Sequence, residues 1–146
     1  MKKIFLLSCV IILVSCAPKP RPTIEEGIVG KILWVSGNQM PSPNSSPPAP
    51  KPVQREVFIY QLTTLNDVTG QAPMYNSIHT KLVKNVLTDE NGHFTVYLPV
   101  GDYSIFTKEE GGYFAARFDN NSISPISVQQ GSMTSITIEI NYAAAY

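Results

Sequence analysis

The sequence predicts an all-β protein, a β-sandwich of about seven strands. Short segments in which apolar and polar residues alternate recur along the chain, and Gly, Asn and Pro separate them at regular spacing. No window shows a sustained helical period. Many short strands joined by such turns are typical of a sandwich, because each strand buries one face and leaves the other in water.

The first strand is predicted at residues 27–35. Ile28, Ile32 and Trp34 share one face of this segment, and a turn signal follows at 36–38. We therefore expect this strand to open the domain and to contribute apolar side chains to its core.

A proline-rich loop is predicted at residues 41–53, inserted before the second strand. So much proline excludes a helix or a central strand there. Loops of this length inside compact domains are often functional. Residues 47–50 have two interpretations, a solvated loop, which we favour, and a ligand for a peptide-recognition groove.

The remaining strands follow from the same signals. Residues 56–62 are densely apolar, whereas 63–80 are expected to be irregular, with at most a short edge strand near 77–79. Asn91 and Gly92 are expected to supply the positive φ angles of a hairpin turn. Further strands are predicted at 82–88, 93–98, 103–108, 113–118, 126–129 and 133–141. The tail beyond the last strand either is disordered or extends it.

The N-terminus is predicted to be a secretory signal peptide over residues 1–15. Lys2 and Lys3 form a basic start, residues 4–14 are almost wholly apolar, and Ser15 is the small residue before a cleavage point. The apolar run is about half of the roughly 20 residues that a membrane-spanning helix needs. It is therefore not expected to be a stable anchor.

The segment Leu13-Val14-Ser15-Cys16 resembles the lipobox of bacterial lipoproteins. The resemblance implies that the sulfur of Cys16 is lipidated, that the chain is cut before it and that the new N-terminus is acylated. Two or more acyl chains anchor a protein stably. No Asp and no acidic cluster follows Cys16, which in such lipoproteins favours the outer membrane, facing the periplasm. The alternatives are an ordinary signal peptide with a chance cysteine and an uncleaved membrane helix.

Residues 16–26 are expected to be a Pro-rich membrane tether. Proline alternates with basic residues there, which favours an extended polyproline II conformation. At roughly 3.1 Å per residue, ten such residues hold a domain on the order of 30 Å from the membrane.

Length, charge and cysteine content narrow the function. Without the signal the chain has a single-domain length. Its 11 basic and 11 acidic residues give no basic surplus, so a nucleic-acid partner is not expected. The two cysteines, Cys9 and Cys16, lie in the signal and at its end. The folded domain therefore has no disulfide, thiolate metal site or cysteine nucleophile.

Residues 87–107, LTDENGHFTVYLPVGDYSIFT, resemble the carboxypeptidase regulatory-like domain. The family pattern is Thr-Asp-x-x-Gly, a Phe-containing strand, Leu-Pro-x-Gly and then x-Tyr. It is matched in order by Thr88-Asp89, Gly92, Phe94, Leu98-Pro99, Gly101 and Tyr103. Residues 28–32 fit the opening Val-x-Gly-x-Val, so that the domain would span residues 27–142.

The resemblance implies a transthyretin-like, seven-stranded Greek-key β-sandwich. It also implies a structural, accessory or binding module without catalytic residues of its own. Residues 37–41, 113–115 and 141–142 are similar to segments of small lipoproteins of Bacteroidetes-type bacteria that carry this domain. The Pro-rich loop departs from the family pattern, where a short Gly-x-Pro-x-x-Gly-Ala turn is usual.

Few residues are candidates for chemistry. His79 and His93 are the only histidines, and neither has the spacing of a catalytic triad or of a paired metal site. Asp89, Glu90 and Asn91 resemble part of a calcium loop, but the full ligand spacing is absent and a turn explains them. Glu109-Glu110 is predicted to be a polar hairpin tip. No catalytic residue, metal or cofactor is predicted.

The aromatic residues are the candidates for binding. Tyr97, Phe106, Tyr113, Tyr142 and Tyr146 cannot all lie in the core if the strands alternate. Cross-strand packing explains them most simply, whereas exposed tyrosines suit contact with protein or carbohydrate. Tyr97, Tyr113 and Tyr142 are the predicted members of such a binding surface.

These features leave three candidate functions. The favoured one is a lipid-anchored, non-enzymatic accessory or interaction module of the cell envelope, with an envelope protein or glycan as partner. The alternative is a glycan- or peptide-binding lipoprotein that uses exposed aromatic residues and the Pro-rich loop. An enzyme is disfavoured, because no nucleophile, base and acid can be assembled from the sequence.

Overall fold

The computed structural model describes residues 25–146, which fold as an all-β sandwich. The predicted signal peptide, Cys16 and most of the predicted tether lie outside the described residues. Thirteen strand segments are present: β1 Gly27–Asn38, β2 Lys51–Pro52, β3 Glu56–Gln61, β4 Val68–Gln71, β5 Met74–Ile78, β6 Leu82–Leu87, β7 His93–Tyr97, β8 Gly101–Glu109, β9 Gly112–Phe114, β10 Phe118–Asp119, β11 Ser122–Ile123, β12 Pro125–Val128 and β13 Met133–Ala145.

Two sheets form the sandwich. In the smaller sheet β1 lies between β13 and the strands β2 and β7. In the larger sheet the order is β4-β5-β9-β8-β3-β6, and β12 also pairs with β8. The strands β10 and β11 form a separate ribbon. The predicted β-sandwich is confirmed, whereas the Greek-key connection and the transthyretin-like relation stay predictions.

The main core lies between the two sheets. Alternation along β7 buries Phe94 and Val96 and leaves His93, Thr95 and Tyr97 exposed, as the sequence predicted. The inward residues of the other strands follow the same rule and complete the cluster: Ile28 and Ile32 of β1, Val57 and Ile59 of β3, Ile105 of β8, and Ile136 and Ile140 of β13. Burial of these side chains is the main stabilising contribution to the fold.

The first and last strands pair in parallel. Gly27 lies opposite Met133 at one end of the pair, and Asn38 lies opposite Ala145 at the other. The tail therefore extends the last strand, which settles the choice that the sequence left open. As a result, the end of β13 and the start of the Pro-rich loop meet at the same end of the sandwich.

The prediction that residues 63–80 are irregular was wrong, apart from the short strand expected near 77–79, part of which lies in β5. They form a short 3₁₀ helix, Leu65–Asp67, and then the hairpin β4–β5. This hairpin extends the larger sheet beyond β9, and its Tyr75 packs with Tyr60 and Phe106 in a second buried cluster. Gly70 and Pro73 concealed the hairpin, whose strands are stabilised by packing on the sheet rather than by a strong local pattern.

Other differences concern strand ends and turns. The predicted strand at 113–118 ends at Phe114, and the next residue, Ala115, donates its N–H to the carbonyl of Pro73 at 2.9 Å. In the hairpin turn only Gly92 has a positive φ, of 75°, and Asn91 does not share it. The predicted count of about seven strands is lower than the thirteen segments observed, because short segments such as β2, β10 and β11 have no period of their own.

The Pro-rich loop is largely without regular structure. Its end pairs with β1 through the two-residue strand β2, in which Pro52 lies opposite Leu33. Proline is tolerated there because the strand lies at the edge of the sheet. Residues 40–52 are exposed throughout.

Candidate functional site

The three tyrosines predicted as a binding surface lie in different surroundings. Tyr97 is on the outer face of the smaller sheet, 52% exposed, and its hydroxyl donates to Glu25 over a long 3.4 Å. Tyr113 is on the outer face of the larger sheet beside Phe58. Tyr142 packs against Trp34 at one end of the sandwich. The structure does not bring the three tyrosines into one strip.

The ring of Tyr113 is largely occupied by neighbours. The Lys108 ammonium lies 4.2 Å from its centroid, as a cation–π contact. Phe58 and Tyr60 meet the ring edge-on, at centroid distances of 5.4 and 6.3 Å. One face is thus covered by a cation, which reduces the ring surface on which a sugar can stack.

Tyr60 makes this aromatic cluster sensitive to alkali. Burial first, and then the neighbouring Tyr113 hydroxyl, raise the pKa of Tyr60 from 10.0 to about 12. The neutral hydroxyl is therefore favoured in the folded state, a contribution that is complete below pH 10 and is lost as the pH rises from 10 to about 12.

We expect the free energy of unfolding to fall by about 2 kcal/mol from Tyr60 alone across that window. Replacing Tyr60 with Phe should flatten this part of the pH profile, measured by urea unfolding at pH 9 to 12. Tyr97→Phe, at an exposed tyrosine, is the control. An unchanged alkaline slope in Tyr60→Phe would contradict the assignment.

A charged and aromatic cluster closes one end of the sandwich. Arg55, which precedes β3, places its Nε 3.0 and 3.1 Å from the two carboxylate oxygens of Glu109. The guanidinium also lies 5.6 Å from the centroid of the Trp34 ring. Tyr142 donates its hydroxyl to Glu109 at 3.0 Å and meets Trp34 edge-on at 5.2 Å. These contacts join β1, β8, β13 and the start of β3.

Glu109 contradicts the prediction of a polar hairpin tip. Its side chain is 2% exposed, whereas Glu110 beside it is exposed. The sequence contained a signal for the burial of Glu109. Tyr103, Ile105 and Thr107 face inward, and a strand one residue longer than predicted places Glu109 on the same face.

The cluster is suited to structure rather than to catalysis. The carboxylate of Glu109 is held by a guanidinium and a phenol, and both are committed to it. Burial, then the hydrogen bond to Glu109, raises the pKa of Tyr142 above its ordinary value. Tyr142 is therefore a hydrogen-bond donor at neutral pH.

A polar group surrounds the 3₁₀ helix and the β4–β5 hairpin. Asp67 accepts from the Thr64 hydroxyl at 2.6 Å and from its backbone N–H at 2.9 Å, and these bonds lower its pKa. Ser77 lies 2.6 Å from the Thr69 hydroxyl and only 3.4 Å from Nε2 of His79. Within residues 25–146 no ion pair joins Asp67 to His79. Serine, histidine and aspartate are thus near one another, and the Ser77 hydroxyl has a short hydrogen bond to Thr69 and a longer one to His79.

The remaining predicted polar residues stabilise a turn. Asp89 Oδ1 accepts the N–H groups of Asn91 at 2.9 Å and of His93 at 2.8 Å. His93 is exposed, as predicted. Across the described part of the chain no three His, Cys, Asp or Glu side chains are grouped to hold a metal ion. The same part contains no helix long and apolar enough to cross a membrane.

The end of the sandwich at which β1 and β13 finish is an exposed tip. We define the tip as residues 38–50 and 142–146. Gln39 donates its N–H to the carbonyl of Ala145 at 2.8 Å, which fixes the loop to the last strand. Residues 40–50 contain no charged side chain. The tip therefore presents prolines, small polar groups and the exposed Tyr146.

Compared with protein-family models, with curated proteins and with solved structures, the chain matches none of them. The resemblance to carboxypeptidase regulatory-like domains therefore stays a prediction, based on the sequence motifs at residues 28–32 and 87–107.

Proposed function

We propose that this protein is a lipid-anchored, non-enzymatic interaction module of the bacterial envelope, a carboxypeptidase regulatory-like domain that presents its tip to an envelope partner. The observation that supports the proposal is that the start of the domain and the Pro-rich loop lie at opposite ends of the sandwich. The described chain starts at the end of β1 near Tyr97, and the Pro-rich loop starts at the opposite end. The 12 residues of β1 separate the two ends by roughly 40 Å.

The anchor follows from the N-terminal sequence. The lipobox-like segment ending at Cys16, with the Pro-rich tether after it, places lipid on the side where the domain begins. Glu26 lies at this side and accepts the N–H of Gly131 at 3.1 Å, next to the turn before β13. The tip therefore points away from the membrane, toward whatever the tethered domain meets.

The composition of the tip favours an apolar contact. Prolines 47, 48 and 50 lack N–H groups and favour polyproline II, which partners recognise with aromatic-lined grooves at low entropic cost. Because residues 40–50 carry no charge, binding is expected to depend weakly on salt. The glycan alternative has less support, since Lys108 covers one face of Tyr113 and the three candidate tyrosines are apart.

Replacing Cys16 with Ser is expected to release the protein from the membrane fraction. Serine has no thiol to accept the diacylglycerol group, so the chain loses its lipid and the cleavage that depends on it. Cell fractionation and metabolic labelling with a palmitate analogue measure both effects. Cys9→Ser, which leaves the lipobox-like segment intact, is the matched control.

Membrane retention and labelling of Cys16→Ser equal to those of Cys9→Ser would contradict the lipoprotein proposal. Partner binding is tested in cells with a photo-crosslinking amino acid at position 46, inside the loop, and at position 85, on β6. The tip proposal predicts a discrete adduct from position 46 that disappears when Pro47 and Pro48 are changed to Ser. No adduct, or one that the proline changes leave intact, would count against the tip.

A further inference from the structure

A cleft lies on the open side of the sandwich, between the edges of the two sheets. β12 pairs only with β8, and β13 pairs only with β1, so each presents an edge without a strand partner within the described chain. The two edges meet near the turn before β13, where the Thr134 hydroxyl donates to the carbonyl of Ser127 at 2.7 Å. From this closed end the cleft runs along β13 and narrows toward Glu139.

The size of the cleft suits a polypeptide segment. It has a volume of about 460 Å³ and is lined by both edges and by Arg117. It continues past Arg117 and Ile136 into a smaller hollow of about 40 Å³, whose floor is formed by Ile105, Phe114 and Ile138. Ligand sites in proteins commonly have volumes of about 300 to 1,000 Å³ and apolar floors with a few polar groups.

Arg117 gives the cleft its charge. Among residues 25–146 its guanidinium has no ion pair and no hydrogen bond, although its carbonyl accepts the N–H of Ser124 at 2.8 Å. Glu139 lines the far hollow and is not paired with it. The cleft thus has a cation where its two parts meet and a carboxylate farther along β13.

We propose that this cleft binds an extended segment of another polypeptide by strand addition to β13, with a carboxylate of that segment held by Arg117. A free strand edge supplies backbone donors and acceptors, which give affinity, while alternate side-chain positions give specificity. Along β13, Ile136 and Ile138 face the core and Thr137 faces water, so the added strand has apolar residues toward the hollow and polar ones outward. Glu139 disfavours a second carboxylate where the bound segment reaches the far hollow.

This site is separate from the tip and does not require the tip to bind anything. The carboxylate has two sources, an internal Asp or Glu and a free C-terminus. Both place two oxygens on one guanidinium, a geometry that Arg recognises bidentately. Two arms of the experiment distinguish the sources.

The test begins with random 12-residue peptides displayed on phage and selected on the full-length protein in detergent. One library presents internal segments and the other presents free C-termini. The proposal predicts enrichment of alternating apolar residues with one carboxylate, internal in the first library or terminal in the second. Synthetic copies of the enriched peptides are then measured by fluorescence anisotropy.

Arg117→Gln is expected to weaken binding by about tenfold or more, because a charge-assisted hydrogen bond is lost. Lys84→Gln removes a charge of the same sign from the edge strand β6 and should change affinity less than about twofold. The change of Pro47 and Pro48 to Ser should leave affinity unchanged, which separates this site from the tip. Two methylated registers of the peptide are compared, one carrying methyl groups on one set of alternate backbone nitrogens and one carrying them on the other set. Binding should be abolished in one register and kept in the other, because only alternate N–H groups of an added strand bond to β13.

Three outcomes would overturn the proposal. They are no enrichment above background, equal affinity of Arg117→Gln and the unchanged protein, and equal binding of both methylated registers.

Discussion

Replacing Arg55 with Met is expected to lower the free energy of unfolding by about 3 to 5 kcal/mol, because it leaves a buried carboxylate without its cation. The Glu109 side chain is only 2% exposed, and Arg55 Nε lies within 3.1 Å of both of its oxygens. After the change, the Tyr142 hydroxyl is the only hydrogen-bond partner that remains for the Glu109 carboxylate within the described residues. Urea unfolding followed by circular dichroism measures the loss.

Removing the carboxylate instead of the cation should lower the free energy of unfolding less. Glu109→Leu leaves Arg55 unpaired, but the Arg55 side chain is 28% exposed and can be hydrated. We expect this change to lower the free energy of unfolding by roughly 1 to 3 kcal/mol. The double variant, with both substitutions, should lie within about 1.5 kcal/mol of the unchanged protein, because apolar replacement of a whole buried pair is often neutral.

Lys108→Met is the matched control, since it removes a neighbouring cation from a solvent-exposed position. It should change stability by less than about 1 kcal/mol. A loss in Arg55→Met no larger than the loss in Lys108→Met would show that the Arg55–Glu109 pair is not a buried ion pair in solution. A double variant as unstable as Arg55→Met would lead to the same conclusion.

Replacing Gly92 with Ala is the second change for which we expect a large effect. It should lower the free energy of unfolding by roughly 3 kcal/mol. Gly92 has a φ of 75°, and a Cβ at this position would lie 2.4 Å from the carbonyl oxygen of Ile32. The obstacle is backbone, and it cannot rotate away. The same turn accepts the N–H of Ile32 at 2.9 Å, so a shift of the turn also weakens its contact with β1.

Gly111→Ala provides the comparison within the same protein. Gly111 has no positive φ, and the nearest atom to an added Cβ is Cγ of Met74 at 3.6 Å, an ordinary contact. Alanine there should be neutral or stabilise by up to about 1 kcal/mol. Thermal unfolding of the two variants side by side measures the contrast. Equal melting temperatures would mean that the turn at Gly92 adjusts without strain.

The strands with strong alternation were predictable because their pattern is local. β7 and the first part of β13 follow the prediction, since a half-buried strand shows its period of two in the sequence itself. The β4–β5 hairpin was missed because its apolar residues, such as Tyr75, are buried against Phe106 of a distant strand. A local window contains no trace of such a partner.

The candidate site shows the same division. The five aromatic residues were correctly expected not to lie all in the core, since Phe106 is buried whereas Tyr97, Tyr142 and Tyr146 are exposed. The separation of Tyr97, Tyr113 and Tyr142 depends on which sheet and which face each strand joins. Glu109 was misplaced because its cation, Arg55, is 54 residues away. Arg117 was not singled out at all, because one arginine at the end of a predicted strand is ordinary until two strand edges are placed beside it.

The sequence by itself determined the features that depend on neighbours along the chain: the alternating strands, the glycine turn at residue 92, the absence of cysteine from the folded domain and the lipobox-like segment at Cys16. Only the tertiary structure decided the parallel pairing of β1 with β13, the burial of Glu109 and the cleft beside Arg117. The physical reason is that alternation specifies which side of a strand is buried, but not which strand lies next to it. Packing and hydrogen bonding between distant segments make that choice.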